Sequence, residues 1–168
     1  AGWKTDAALG KALSSAGGAY GLFIMPNPDS YAGVDAATAT LQIVSVTAAS
    51  YDGGTFTLID SAGTSKTYIF DDDGDGATGT LDGSDNVRIQ IQGLGTRALI
   101  SEQVENAIEG ANGHNGTITV ARSSAGVHAN DLITLTQATA GPAGNKSITR
   151  ATITADNVYT ISSAVTNG

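Results

Sequence analysis

The chain has 168 residues, only 14% of them charged, with a formal net charge of −8 and no cysteine. The acidic balance argues against nucleic acid as a partner, because the eight basic residues (Lys4, Lys11, Lys66, Arg88, Arg97, Arg122, Lys146, Arg150) are scattered rather than clustered. The missing cysteines exclude disulfide staples, thiolate catalysis and Cys-ligated zinc. No run is long enough for a transmembrane helix and no signal peptide is visible, so no membrane partner is expected. A chain of this length makes one domain, or one domain with an appendage, and buries roughly 70% of its unfolded surface.

Residues 1–40 differ from the rest. Asp6–Ser15 has Leu9 and Leu13 one helical turn apart, with Gly10 weakening the helix. The same region holds Trp3, the single Trp of the chain, and, among Gly, Ser and Pro, Tyr20, Phe23, Ile24, Met25 and Tyr31. A flexible linker would not carry so many large apolar groups, each gaining about 2 kcal/mol on burial. The segment reads as an extended arm that docks on its own domain or on an adjacent subunit. A plain N-terminal strand of the same core is the alternative.

Residues 41–168 read as the main domain. Strands are expected at Leu41–Val46, Thr55–Ile59, Lys66–Phe70 and Val87–Ile91, with a hairpin turn at Asp60–Gly63. The fourth alternates, placing Val87, Ile89 and Ile91 inward and Arg88, Gln90 and Gln92 outward. Thr96–Ala111 is the one convincing amphipathic helix, spanning about 97–111. Leu99, Ile100, Val104, Ala107 and Ile108 form its apolar stripe, Thr96 or Ser101 its N-cap, and Gly110 and Gly113 its stop. Further strands are expected at Thr117–Ala121, Leu132–Thr136, Ser147–Thr154 and Tyr159–Ser163. One greasy helix among strands must lay its apolar face on a sheet. The fold class is therefore mainly β: an antiparallel β-sandwich or rolled sheet with one packed helix and an extended N-terminal arm.

The sharpest local motif is Asp71-Asp-Asp-Gly-Asp-Gly76 with Asp82 beyond it. Asp71, Asp73 and Asp75 take the first, third and fifth positions of a calcium loop, Gly76 the sixth, Ala77 (through its carbonyl) the seventh and Asp82 the twelfth. A hard cation wants six to eight oxygens, and a tight Gly-containing loop can gather carboxylates. Two departures stand out: the twelfth position is Asp rather than Glu, and strands rather than helices flank the loop. The stretch is either a calcium-binding hairpin in a β domain or a solvated acidic turn, with like charges screened over roughly 8–10 Å. His114 and His128 lie in Gly- and Asn-rich segments and read as surface loop histidines. No nucleophile elbow, glycosidase carboxylate pair or phosphate loop frames a catalytic site, so an enzyme is not expected.

The runs TFTLIDSAGTSKTYIF, VRIQIQGL, ISEQVENAIEGANGHNGTITV and LITLTQATAGPAGNKSIT resemble a module of structural proteins of tailed bacteriophages. In that module a strand pair precedes a helix ending in Ala-Ile. A strand ending Leu-Thr-Gln follows, then an Ala-Gly-x-x-Gly-Asn turn and a strand Ile-Thr. Here these are Val104–Ile108, Leu135–Gln137, Ala140–Asn145 and Ile148–Thr149. The resemblance covers roughly residues 55–155 and leaves out the arm. It implies an assembly role without catalytic residues, in a homo-oligomer placed on the virion, an extracellular particle, against the major capsid protein or other virion subunits. A capsid decoration (cement) protein of the head surface is the leading expectation, and a tail tube or tail fibre component the second. A secreted calcium-dependent adhesin or carbohydrate-binding module is a third, from a different class.

Overall fold

The computed structural model describes residues 35–124, 131–153 and 155–166. The helix expected over Asp6–Ser15, the arm residues Trp3, Tyr20, Phe23, Ile24, Met25 and Tyr31, and His128 lie outside these residues. The unit that begins at Asp35 is mainly β with one packed helix, in the order β1 (Thr38–Ile43), β2 (Thr55–Ile59), β3 (Ser65–Asp71), β4 (Val87–Gln90), α1 (Arg97–Glu109), β5 (Ile118–Arg122), β6 (Leu132–Gln137), β7 (Lys146–Ser147), β8 (Thr149–Ala151), β9 (Tyr159–Ile161) and β10 (Ala164–Val165).

One four-stranded sheet has the order β5-β6-β1-β9 and a second the order β4-β3-β2-β8, while β7 and β10 form a two-stranded ribbon. The first sheet is antiparallel throughout. Its strands alternate as period-2 patterning requires: Ala39, Leu41 and Ile43 of β1 point into the core, and Thr38 and Thr40 point out. The inner faces of the two sheets meet in an aromatic cluster. Tyr159 of β9 packs on Phe70 and Phe56 of the second sheet, with ring centroids 5.3 and 6.4 Å apart, and Tyr51 joins at 5.2 Å from Phe70. Buried aromatics of this kind add ring–ring attraction to their area burial.

The two sheets are also joined at their edges. α1 packs against β5 of one sheet and β4 of the other, burying Ile100, Val104, Ala107 and Ile108. Arg122 on β5 grips it, with Nε 2.6 Å from Glu105 Oε2 and Nη1 donating to the Ala98 carbonyl. At the opposite edges, Arg150 of β8 donates to the Tyr159 carbonyl on β9 at 2.8 Å and lies over the Tyr159 ring. The helix starts where the Thr96 side chain accepts from Leu99 N, so Thr96 and not Ser101 is the N-cap. Ser101 is instead buried against the core, its hydroxyl bonded to the Ala98 carbonyl.

Several expectations are corrected. β4 runs parallel to β3, with Tyr68 opposite Val87 and Asp71 opposite Gln90. Residues 72–86 between them are long enough for the crossover that parallel pairing needs. The strand expected over Ser147–Thr154 is two strands in different sheets, β7 and β8, divided at Ile148. β1 starts at Thr38, so Thr38–Thr40, assigned to the arm, are sheet residues, and Ala37 just before them is fully buried. Leu99 was placed on the apolar stripe but is 43% exposed. The buried stripe is centred on Ile100, Val104, Ala107 and Ile108, which leaves Leu99 at its margin.

Candidate functional site

The acidic loop takes its shape from the parallel pairing of β3 and β4. The chain leaves β3 at Asp71, turns at Gly74 with φ of +80°, and must travel back before it can enter β4. Residues 76–80 are fastened on the way. Gln90 Nε2 donates to the Gly76 carbonyl, the Thr78 hydroxyl to Gln103 Oε1 of α1, and Asn112 Nδ2 to the Gly79 carbonyl. Gly76 lies close under Arg88, and a Cβ there would sit 2.7 Å from Arg88 Nη1, so a larger residue would have to push that side chain aside. Leu81 then bridges Val87, and the chain enters β4 with Arg88 opposite Ile69.

The result is a cleft of about 200 Å3 lined by Asp52, Asp71, Asp73, Asp75, Asp82 and Arg88 beside Ile69 and Phe70. The five residues put forward as a calcium loop have unequal fates. Asp71 Oδ2 accepts from Arg88 Nε at 2.7 Å, and its Oδ1 from the Asp73 amide. Asp82 closes a local turn: Oδ1 accepts from the Ser84 and Asn86 amides, and Oδ2 from Asn86 Nδ2, each at 2.8 Å. Burial pushes its acidity the other way, yet the Asn86 and Ser84 bonds and nearby Arg88 hold the Asp82 carboxyl below the usual carboxylate range. Asp73 and Asp75 line the cleft without such anchors, and the Ala77 carbonyl accepts from the Thr80 amide and hydroxyl. Among the described residues, no three or more His, Cys, Asp or Glu side chains stand in a metal-holding arrangement.

Asp52 belongs to this cleft and was not singled out from the sequence. Its Oδ1 accepts from the Asp72 amide at 3.1 Å. It is also the largest influence raising the Asp73 pKa, ahead of desolvation and of Asp75, Asp71 and Asp72. The hairpin register could have found it, because pairing Thr55 with Ile69 carries Asp52 to the level of Asp72.

A second polar group lies inside the fold. His114, expected on the surface, is 3% exposed, because the turn after α1 folds back over β3. Its Nδ1 is 2.7 Å from the Tyr68 hydroxyl and its Nε2 3.4 Å from the Thr64 carbonyl. Asp60 is buried nearby and accepts from the Thr64 amide at 2.8 Å. Desolvation works against its charge, but the Thr64 bonds, the Thr117 hydroxyl and His114 outweigh it and hold the carboxyl below its ordinary range. Gln137, buried at the end of β6, donates from Nε2 to the Ile59 carbonyl and accepts at Oε1 from the Ser61 amide, both at 2.9 Å. Every one of these groups ties the β2–β3 turn to another element. No family model, curated protein or solved structure matches the chain.

Proposed function

We propose that this chain is a virion structural protein of a tailed phage, a capsid decoration protein on the head surface whose partners are the major capsid protein and further copies of itself. The support comes from where the residues of the phage-module pattern lie. Ala107 and Ile108, which end the helix pattern, are fully buried on the sheet-facing side of α1. Gln137, which ends the Leu-Thr-Gln strand, stitches β6 to the β2–β3 turn across the two sheets. In the Ala-Gly-x-x-Gly-Asn turn the first glycine answers to the backbone and the second to close packing. Gly141 has φ of +109°, and a Cβ on Gly144 would meet Ala37 Cβ and Gln137 Cγ at 3.1 Å. The residues that carry the resemblance hold seams of the fold, the property a repeated shell component depends on.

The aromatic and apolar residues of the arm (Trp3, Tyr20, Phe23, Ile24, Met25, Tyr31) serve in this reading as the assembly device. The unit that begins at Asp35 has a buried core of its own, and this reading gives attachment to the arm. Full-length chain and a variant lacking residues 1–34 are to be mixed with phage heads stripped of decoration. The full chain should bind to saturation, and the truncated chain should remain folded and unbound. Full occupancy by the truncated chain would move attachment to the sheets or their loops.

A further inference from the structure

Three segments meet at His114. Its amide donates to the Ile108 carbonyl of α1 at 2.7 Å, which fixes the turn to the end of the helix. Its ring reaches across to the Thr64 carbonyl in the β2–β3 turn and to the Tyr68 hydroxyl on β3. A carbonyl can only accept, so Nε2 carries the proton and the bare Nδ1 accepts from the Tyr68 O–H. The Tyr68 and His114 rings are also stacked, with centroids 5.9 Å apart. Gly113, next in the chain, is pressed against the helix end, where a Cβ would clash with the Ala107 and Ile108 carbonyls. The turn therefore has little freedom to move the ring elsewhere.

We propose that His114 is an acid-operated latch: neutral, it fastens the turn after α1 onto the β2–β3 hairpin, and protonation of Nδ1 opens that seam. A proton on Nδ1 faces the hydroxyl that now donates to it. Tyr68 must then rotate its O–H to present a lone pair, and its hydrogen is turned into a fully buried site. The charged and titratable groups around the ring are Asp60 in the β2–β3 turn and Lys66 and Tyr68 on β3. Burial is the largest influence and opposes the imidazolium; the Thr64 carbonyl and Asp60 favour it, and Lys66 opposes it. The balance lies below the ordinary histidine value of 6.5. An unfolded or opened chain thus takes up the proton at higher pH than the closed one. The seam is at full strength above about pH 6.5 and weakens as the pH falls through that value toward the lower pKa of the closed form.

The test follows full-length chain and His114→Gln through urea unfolding between about pH 8 and about pH 5. The wild-type midpoint should fall toward lower urea across that window. The variant, which keeps a polar amide at the position but cannot titrate, should lose much less. Equal pH dependence in both proteins would overturn the latch. A second measurement does not depend on the variant's folding: the proton NMR titration of the His114 ring, assigned as the signal that survives His128→Gln. A midpoint below 6.5 is expected, and one at or above 6.5 would contradict the proposal.

Discussion

Gln137 and Ile59 belong to different sheets, and the side-chain amide of the first donates to the main-chain carbonyl of the second at 2.9 Å. The same amide accepts from Ser61 N, so one side chain satisfies two backbone groups at the β2–β3 turn. Removing it leaves both without partners. Gln137→Leu should destabilise the domain by about 1–3 kcal/mol, the cost of leaving two part-buried backbone groups without this partner. Urea unfolding reads this, and a loss below about 0.5 kcal/mol would mean that water replaces the amide freely.

The helix offers a paired comparison. Ile108 is fully buried, whereas Leu99, nine residues earlier on the same helix, is 43% exposed. Ile108→Ala should therefore cost about 2–4 kcal/mol, and Leu99→Ala less than about 1 kcal/mol. Equal losses would contradict the orientation of α1 over β4 and β5.

That orientation was half legible in the sequence. The stripe Ile100, Val104, Ala107 and Ile108 follows from helical periodicity, and Val87, Ile89 and Ile91 follow from alternation. Leu99 misled because periodicity gives a face but not its edges. Those are set by which strands the helix straddles, and α1 lies over edge strands of two different sheets. The parallel pairing of β3 and β4 was hidden for another reason. Consecutive strands joined by a turn-rich loop suggest a hairpin, and nothing local in residues 72–86 announces that the chain doubles back. The split at Ile148 is likewise tertiary, since one continuous β-branched run serves two sheets.

The acidic cleft gives a prediction with an unusual sign. Like charges, Asp52 foremost, raise the Asp73 pKa, so ionised Asp73 works against the folded state. Asp73→Asn should stabilise the protein near neutral pH at low ionic strength, and the gain should shrink as salt is added. For wild type, this contribution favours folding as the pH falls through the raised pKa of Asp73 and is lost above it. A destabilised Asp73→Asn variant in the presence of a chelator would contradict the repulsion.

Asp82 should behave in the opposite way. Its carboxylate accepts three hydrogen bonds from Ser84 and Asn86. Asp82→Ala should cost about 1 kcal/mol even in a chelator, because the turn bonds are lost with the carboxylate. Calcium titration of the melting temperature completes the comparison. A calcium-induced rise abolished by Asp82→Ala would show that the carboxylate leaves Asn86 for a cation.

The acid limb of stability should carry the signature of Asp60. Its folded pKa lies below the unfolded value of 3.8, so its contribution is present above that value and is lost as the pH falls through the folded one. Asp60→Asn should flatten the loss of stability below about pH 4 and, by removing a charge that favours the His114 imidazolium, deepen the His114-dependent decline at higher pH. The legibility of these two groups differed sharply. Asp60 was visible as a turn residue, whereas His114 looked like any histidine in a Gly- and Asn-rich loop, because burial of a turn depends on what it folds over.

The proposed decoration role puts the chain on the head of a tailed phage, where its copies can be counted on intact particles. Particles carrying this chain with a small density tag at its C-terminus are to be imaged by electron cryo-microscopy. Tag density should repeat over the head lattice, in hundreds of copies on the order of the capsid subunits themselves. Density stacked along the tail, a handful of copies at a fibre or spike, or no density on the particle would contradict it.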